Sequence, residues 1–351
     1  MPTPNLTRIE NRRHWPIGIR ARRLLPAALL LWIAAGIAGP AGAAEEGWVI
    51  PDVDALPMDA FGVTVRAGRD LIEHTAATIG PDAKDPAKRY SGNGLECQSC
   101  HLEAGTKKYG LPLAGIWGVF PLFIGRENEV RTLEDRINGC MERSMNGRAL
   151  PATGPEMKAM LTYIRFISSG VPTGRSAEGR GAPPLALPSG ASDPQNGAKV
   201  YTEVCAVCHQ AQGQGVRWPA ADAAEQRHRY QFPPLWGPDS YNDGAGMARP
   251  ITAAGFIRAN MPKGTEYSHP VLSVQDSFDV AVFVDSQKRP HRLGNDKDYP
   301  DRSLKPVDAT FEPFLGPFPP AQHLTGPWPP MQQWMKDNAK ALRSAAATPG
   351  G

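Results

Sequence analysis

Cys97-Gln-Ser-Cys100-His101 and, 108 residues later, Cys205-Ala-Val-Cys208-His209 are the stretches that decide how this chain folds. Both have the CxxCH spacing of c-type haem attachment. Two thiols one helical turn apart can add to the two vinyl groups of one porphyrin, and the adjacent imidazole then reaches the iron from the same side. The spacing predicts two covalently bound haem c groups, attached through Cys97, Cys100, Cys205 and Cys208, with His101 and His209 as proximal ligands. The competing reading is a pair of redox CxxC disulfides with incidental histidines, since an exported chain can keep disulfides.

The surroundings of the two motifs follow one plan, which predicts a mainly α protein of two tandem cytochrome c domains. Around the second motif, 196–204 reads as a short helix, and the Pro233-Pro234 loop offers a prolyl carbonyl to the His209 ring N–H. A helix over 252–260 leads into Met261-Pro262. Ser273 then caps a helix with Asp276 at its third position and Val274, Phe278, Ala281 and Val282 as its apolar stripe. Met261, 52 residues after His209, is the expected distal ligand of the second haem. Met247, in a glycine-rich loop, is the alternative. Around the first motif, 69–79 reads as a leading helix. A closing helix starts at Thr153 with Glu156 completing a capping box, and Met157, Met160, Leu161 and Ile164 form its apolar face.

These elements divide the chain into domains at 45–171 and 193–290, a Pro/Gly-rich linker at 172–192 and a tail at 291–351. With 36 Gly and 36 Pro in 351 residues, long loops rather than long bundles are expected. The tail carries Phe311, Phe314, Phe318, Trp328 and Trp334 among prolines. It is expected to wrap the domain surface or to dock a partner, with 332–344 as a last helix.

The first 44 residues read as a signal peptide. Arg12, Arg13, Arg20, Arg22 and Arg23 precede the apolar run 24–38, and small residues follow, with cleavage expected near Ala43/Ala44 and a periplasmic location. The run of 15 residues is short of the roughly 20 that span a bilayer. This segment carries +5 of the formal +3, leaving −2 for the remainder, so no nucleic-acid footprint is present.

Cys140, the fifth cysteine, lies 39 residues after His101, where a distal methionine is expected. A thiolate would hold an iron at low potential, and its sulfur is also a nucleophile. The alternative is a small buried hydrophobe, with Met141 or Met145 as ligand. If the segment is helical, Arg136, Cys140 and Ser144 share one face with Arg143 beside them, and Met145 points about 140° from Cys140. Such a face suits a small oxyanion bound by planar guanidinium forks. The alternative is a solvated helix, since 126–148 holds five Arg and five acidic residues.

The run Ile137-Asn138-Gly139-Cys140-Met141-Glu142-Arg143-Ser144-Met145-Asn146-Gly147, with Gly92-Asn93-Gly94-Leu95 before the first haem motif, resembles the dihaem thiosulfate dehydrogenase (tetrathionate synthase) family. A weaker similarity is to the cytochrome subunits of the sulfur-oxidising complex. The resemblance covers roughly residues 60 to 290. It implies that His101 and Cys140 ligate the first haem, and that two thiosulfates are coupled to tetrathionate beside it. It places substrate residues at Arg126, Arg136 and Ser144, and passes electrons through the second haem to an external acceptor, such as a soluble or membrane-linked cytochrome. Some members carry a Lys before the distal Met and exchange ligands; the position here is Asn260, which implies plain His209/Met261 ligation. A dihaem electron carrier without a substrate, a tetrathionate reductase and a dihaem peroxidase are the other readings.

Overall fold

In the computed structural model, residues 48–174, 177–219, 222 and 227–346 are described, with side chains to residue 343. The expected signal peptide lies outside them. Among the described residues no helix is long and apolar enough to cross a membrane.

The first haem motif sits in a helical frame. Asp59 caps α1 (Ala60–Glu73) by accepting the Gly62 N–H, and after a break at His74 the chain continues as α2 (Thr75–Ile79). The leading helix therefore starts well before residue 69 and is interrupted. Its first turns contain Gly62, Val63, Thr64 and Val65, poor helix formers whose propensity is overridden by packing. A hairpin of β1 (Leu122–Ile124) and β2 (Glu129–Arg131) precedes α3 (Leu133–Arg143), which Thr132 and Asp135 cap reciprocally. The closing helix is α4 (Pro155–Ile167). Its expected capping box is not formed: Gly154 is the N-cap, and Glu156 instead reaches Lys88 Nζ at 2.9 Å.

The leading and closing helices cross closely, and a glycine permits it. A Cβ at Gly68 would stand 2.1 Å from the Ala159 carbonyl oxygen. Val65, Ile72, Ile79, Met157, Met160, Tyr163, Ile164 and Ile167 fill the core around this crossing.

The second motif repeats the arrangement. Asp193 caps α5 (Pro194–Val200), and a π-helical turn at Tyr201–Cys205 leads into α6 (Ala206–His209). The small β3 (Val216–Arg217) and β4 (Tyr230–Phe232) pair before α7 (Pro250–Asn260) and α8 (Val274–Asp285). A Cβ at Gly197 would meet the Asp279 carbonyl oxygen at 2.0 Å, so α5 and α8 cross as α1 and α4 do. Ser273 caps α8 as its sequence requires, accepting the Asp276 N–H at 3.0 Å.

The tail does more than wrap. After α9 (Pro320–Thr325), α10 (Trp328–Ala346) starts earlier than the periodicity suggests and drives Trp328 and Met331 into the second core beside Phe278, Ala281 and Val282. The Trp328 and Phe278 ring centroids are 5.5 Å apart. Buried Asp308 of the tail pairs with Arg249 at 2.7 Å and accepts the Ile251 N–H in the first turn of α7. Truncating a buried tryptophan costs about 3–5 kcal/mol. Trp328→Ala should lower the denaturation midpoint of the haem-loaded protein accordingly; an unchanged midpoint would show that the tail is peripheral.

Candidate functional site

Each haem motif presents one imidazole whose Nδ1 is held by a backbone carbonyl. His101 Nδ1 lies 2.5 Å from the Leu111 carbonyl oxygen, and His209 Nδ1 lies 2.8 Å from that of Pro233. A ring N–H donated to a carbonyl leaves Nε2 as the free donor to a metal. The Pro233 contact was legible from the motif spacing; the Leu111 contact had no signal in the sequence. Burial pulls His209 below the usual imidazole value, and the Pro233 carbonyl partly offsets this. All five cysteines are unpaired. Burial pushes the Cys97 and Cys100 thiols up to about 12. Thr75, in α2, fixes Cys97 by accepting its N–H at 3.0 Å and placing its hydroxyl 3.3 Å from the sulfur. Two free thiols, an adjacent imidazole and the carbonyl that fixes its Nδ1 fit a haem c at both motifs.

Cys140 behaves differently from the thiols of the first haem motif. It lies on α3 one turn after Arg136, whose Nη1 donates to its sulfur at 2.8 Å. Burial pushes this thiol up, but the charge of Arg136, the hydrogen bond and charge of His101 and the Arg136 hydrogen bond outweigh it. The thiol is pulled down to about 6. The lowered value favours the thiolate, and the sulfur faces His101 of the first motif. Arg136 is in turn raised, first by the Cys140 charge. The two alternatives to Cys140, Met141 and Met145, are 1% and 3% exposed and belong to the apolar core, so the helix turns them away.

The other expected members of the oxyanion face divide. Ser144 follows the last residue of α3 and is partly exposed; its carbonyl accepts from Asn93 Nδ2 at 2.9 Å. Arg143 does not join Arg136 and Cys140. It is buried and holds Asp298 through two bonds of 2.8 Å, with Glu127 at 3.5 Å. A buried carboxylate on the tail captures it, which helix periodicity could not reveal. Arg126 meets the same carboxylate: its Nη1 reaches Asp298 Oδ2 at 2.8 Å and the Gly244 carbonyl at 3.0 Å, and its guanidinium lies over the Tyr299 ring. Only its remaining N–H groups are left for an anion. Asp298 lies in a stretch without pattern and was not among the sequence-derived candidates.

At the second motif, Met261 ends α7 half-buried, while Met247 packs against both apolar cores. Asn260 is buried, with Nδ2 donating to the carbonyls of Tyr109 and Phe256 at 2.9 and 3.0 Å.

Comparison with known proteins places both motifs in cytochrome c domains. Residues 87–173 match the SoxA/TsdA cytochrome c domain family, and residues 194–288 match the Cytochrome c family. The chain is 40% identical to a thiosulfate dehydrogenase of Thiomonas intermedia, over 68% of this chain and 70% of that protein. It is 39% identical to a thiosulfate dehydrogenase of Allochromatium vinosum, over 78% of this chain and 96% of that protein. Among solved structures it is similar to thiosulfate dehydrogenase (TsdBA) from Marichromatium purpuratum in its "as isolated" form, with TM-score 0.63 and 36% identity. That match covers 71% of this chain, which spans half the length of the solved one.

Removing one partner of a buried ion pair costs about 3–5 kcal/mol. Asp298→Ala, which strands Arg143, should destabilise the protein to that extent in chemical denaturation. A loss below about 1 kcal/mol would match an exposed pair instead.

Proposed function

The chain belongs to the thiosulfate dehydrogenase family of haem c-binding proteins, and on that premise we propose that it couples two thiosulfate dianions into tetrathionate in the periplasm, at a site built on Cys140 and Arg136. One sulfur–sulfur bond forms between the outer sulfurs of the two dianions, two electrons leave and no proton moves. The observation that carries the reading is the 2.8 Å contact of Arg136 with a Cys140 thiolate that faces His101.

Two covalently bound haem c groups, held by Cys97, Cys100, His101 and Cys140 in the first domain and by Cys205, Cys208, His209 and Met261 in the second, supply one-electron acceptance and lead to an external cytochrome acceptor. The half-buried position of Met261, outside the apolar clusters that occupy Met247, supports its assignment. Asn260 offers no amine to compete with it, and its amide is engaged by backbone carbonyls.

Bringing the dianions together is the electrostatic problem. At about 4 Å and an effective dielectric near 20, two dianions repel by roughly 16 kcal/mol, and one guanidinium facing one dianion returns roughly 8 kcal/mol. Two guanidiniums are therefore needed. Arg136, beside the sulfur, supplies one; Arg126, through the N–H groups not engaged by Asp298 and Gly244, supplies the other. Asp298 and the Tyr299 ring hold Arg126 in place, so its charge needs little reorganisation when substrate arrives. Ser144, partly exposed at the end of α3, offers a hydroxyl to a sulfonate oxygen.

Steady-state assay of the haem-loaded protein with thiosulfate and an artificial acceptor, quantifying tetrathionate, tests this. Cys140→Gly should abolish turnover with both haems still attached. Arg136→Ala should lower kcat by about 100-fold or more, the scale of losing one preorganised donor. Arg126→Ala should act mainly on KM. Thiosulfate that leaves the oxidised spectrum unchanged would instead identify an electron carrier without a substrate.

A further inference from the structure

Helices end with four carbonyls that lack intrahelical partners. In α3 two of these are satisfied by one residue a hundred positions away, beyond the second haem motif. Asn242 Nδ2 donates to the Glu142 carbonyl at 2.9 Å and to Asn146 Oδ1 at 3.0 Å, and the Asn242 backbone N–H donates to the Arg143 carbonyl at 3.2 Å. Its Oδ1 accepts the Gly244 N–H at 3.1 Å. Asn242 is 1% exposed.

The residues around Asn242 fasten the same loop to the same place. Asp239 Oδ1 accepts the Gly94 N–H at 2.9 Å, immediately before the first haem motif. The Ser240 carbonyl accepts from Asn93 Nδ2, which also donates to the Ser144 carbonyl. Tyr241 is buried in the core of the first haem domain, and the Gly244 carbonyl accepts from Arg126. Residues 239–244 thus lie between the approach to the first haem motif and the last turn of the helix that carries Cys140. That turn includes Cys140 itself, whose carbonyl accepts from Ser144 and Met145.

We propose that Asn242 is a positioning residue for the Cys140 thiol: from the second domain, its amide caps the last turn of α3 and sets where the sulfur stands relative to His101. The inference rests on Cys140 ligating the first haem and adds that the second domain holds that ligand in place. With the amide removed, the last turn frays and the sulfur dissociates more often. A hydrogen bond of this kind is worth roughly a fivefold change in an equilibrium constant.

The test is the rate at which exogenous imidazole displaces the thiolate from the oxidised, haem-loaded protein, followed by visible absorption and by low-temperature EPR. Asn242→Ala should bind imidazole at the first haem about fivefold faster or more, with the methionine–iron absorption band of the second haem unchanged. Asn242→Asp is isosteric, keeps the Gly244 contact and turns an acceptor toward two acceptors; it should show the same acceleration and guards against a folding defect in the alanine variant. Wild-type exchange rates in both variants would overturn the positioning role, as would equal loosening of both haems. A wild-type protein without a thiolate EPR signature would instead overturn the ligand assignment on which the inference rests.

Discussion

A guanidinium against a partly buried sulfur is the interaction on which the rest of the site depends. Cys97, Cys100 and Cys140 are all partly buried, yet desolvation drives the first two thiols up to about 12 while Cys140 falls to about 6. Desolvation acts in the same direction on all three. What separates them is Arg136, one helical turn from Cys140 with Nη1 2.8 Å from its sulfur, together with His101. An anionic sulfur at that position needs a helix that presents residues 136 and 140 to the same side, and the reciprocal cap of Thr132 and Asp135 starts α3 in the register that does so.

The charges around this pair are sorted by a carboxylate from far along the chain. Asp298 takes both Arg143 and Arg126, while Arg292 stands at its edge, 4.0 Å away. Arg143 is thereby removed from the sulfur and Arg126 is held with part of its fork free, while Arg136 alone donates to Cys140 among the guanidiniums of the described residues. The tail that delivers Asp298 is anchored in turn by Asp308 on Arg249 and by Trp328 in the second core. A segment that looks like an appendage in the sequence therefore sets the electrostatics of the first domain.

Those parts of the fold that depend on local chemistry were legible in advance. The CxxCH spacing, the Ser273 cap of α8, the helix into Met261 and the shared side of Arg136 and Cys140 all rest on neighbours within a few turns. The parts that escaped depend on distant partners. Thr153 and Glu156 have the form of a capping box, but Lys88 offered Glu156 a better partner. The α1 residues before 69 have weak helix propensity and are held by the crossing at Gly68. Arg143 leaves the oxyanion face for Asp298, a partner 155 residues away that no local pattern signals. The Leu111 carbonyl behind His101 likewise stands in a loop of no recognisable pattern.

The most direct measurement of the central claim is a crystal structure of the oxidised, haem-loaded protein. The account predicts the Cys140 sulfur on the iron opposite His101, with Arg136 still within hydrogen-bonding distance of it. Methionine or water at that iron, with Cys140 turned into the protein interior, would contradict it.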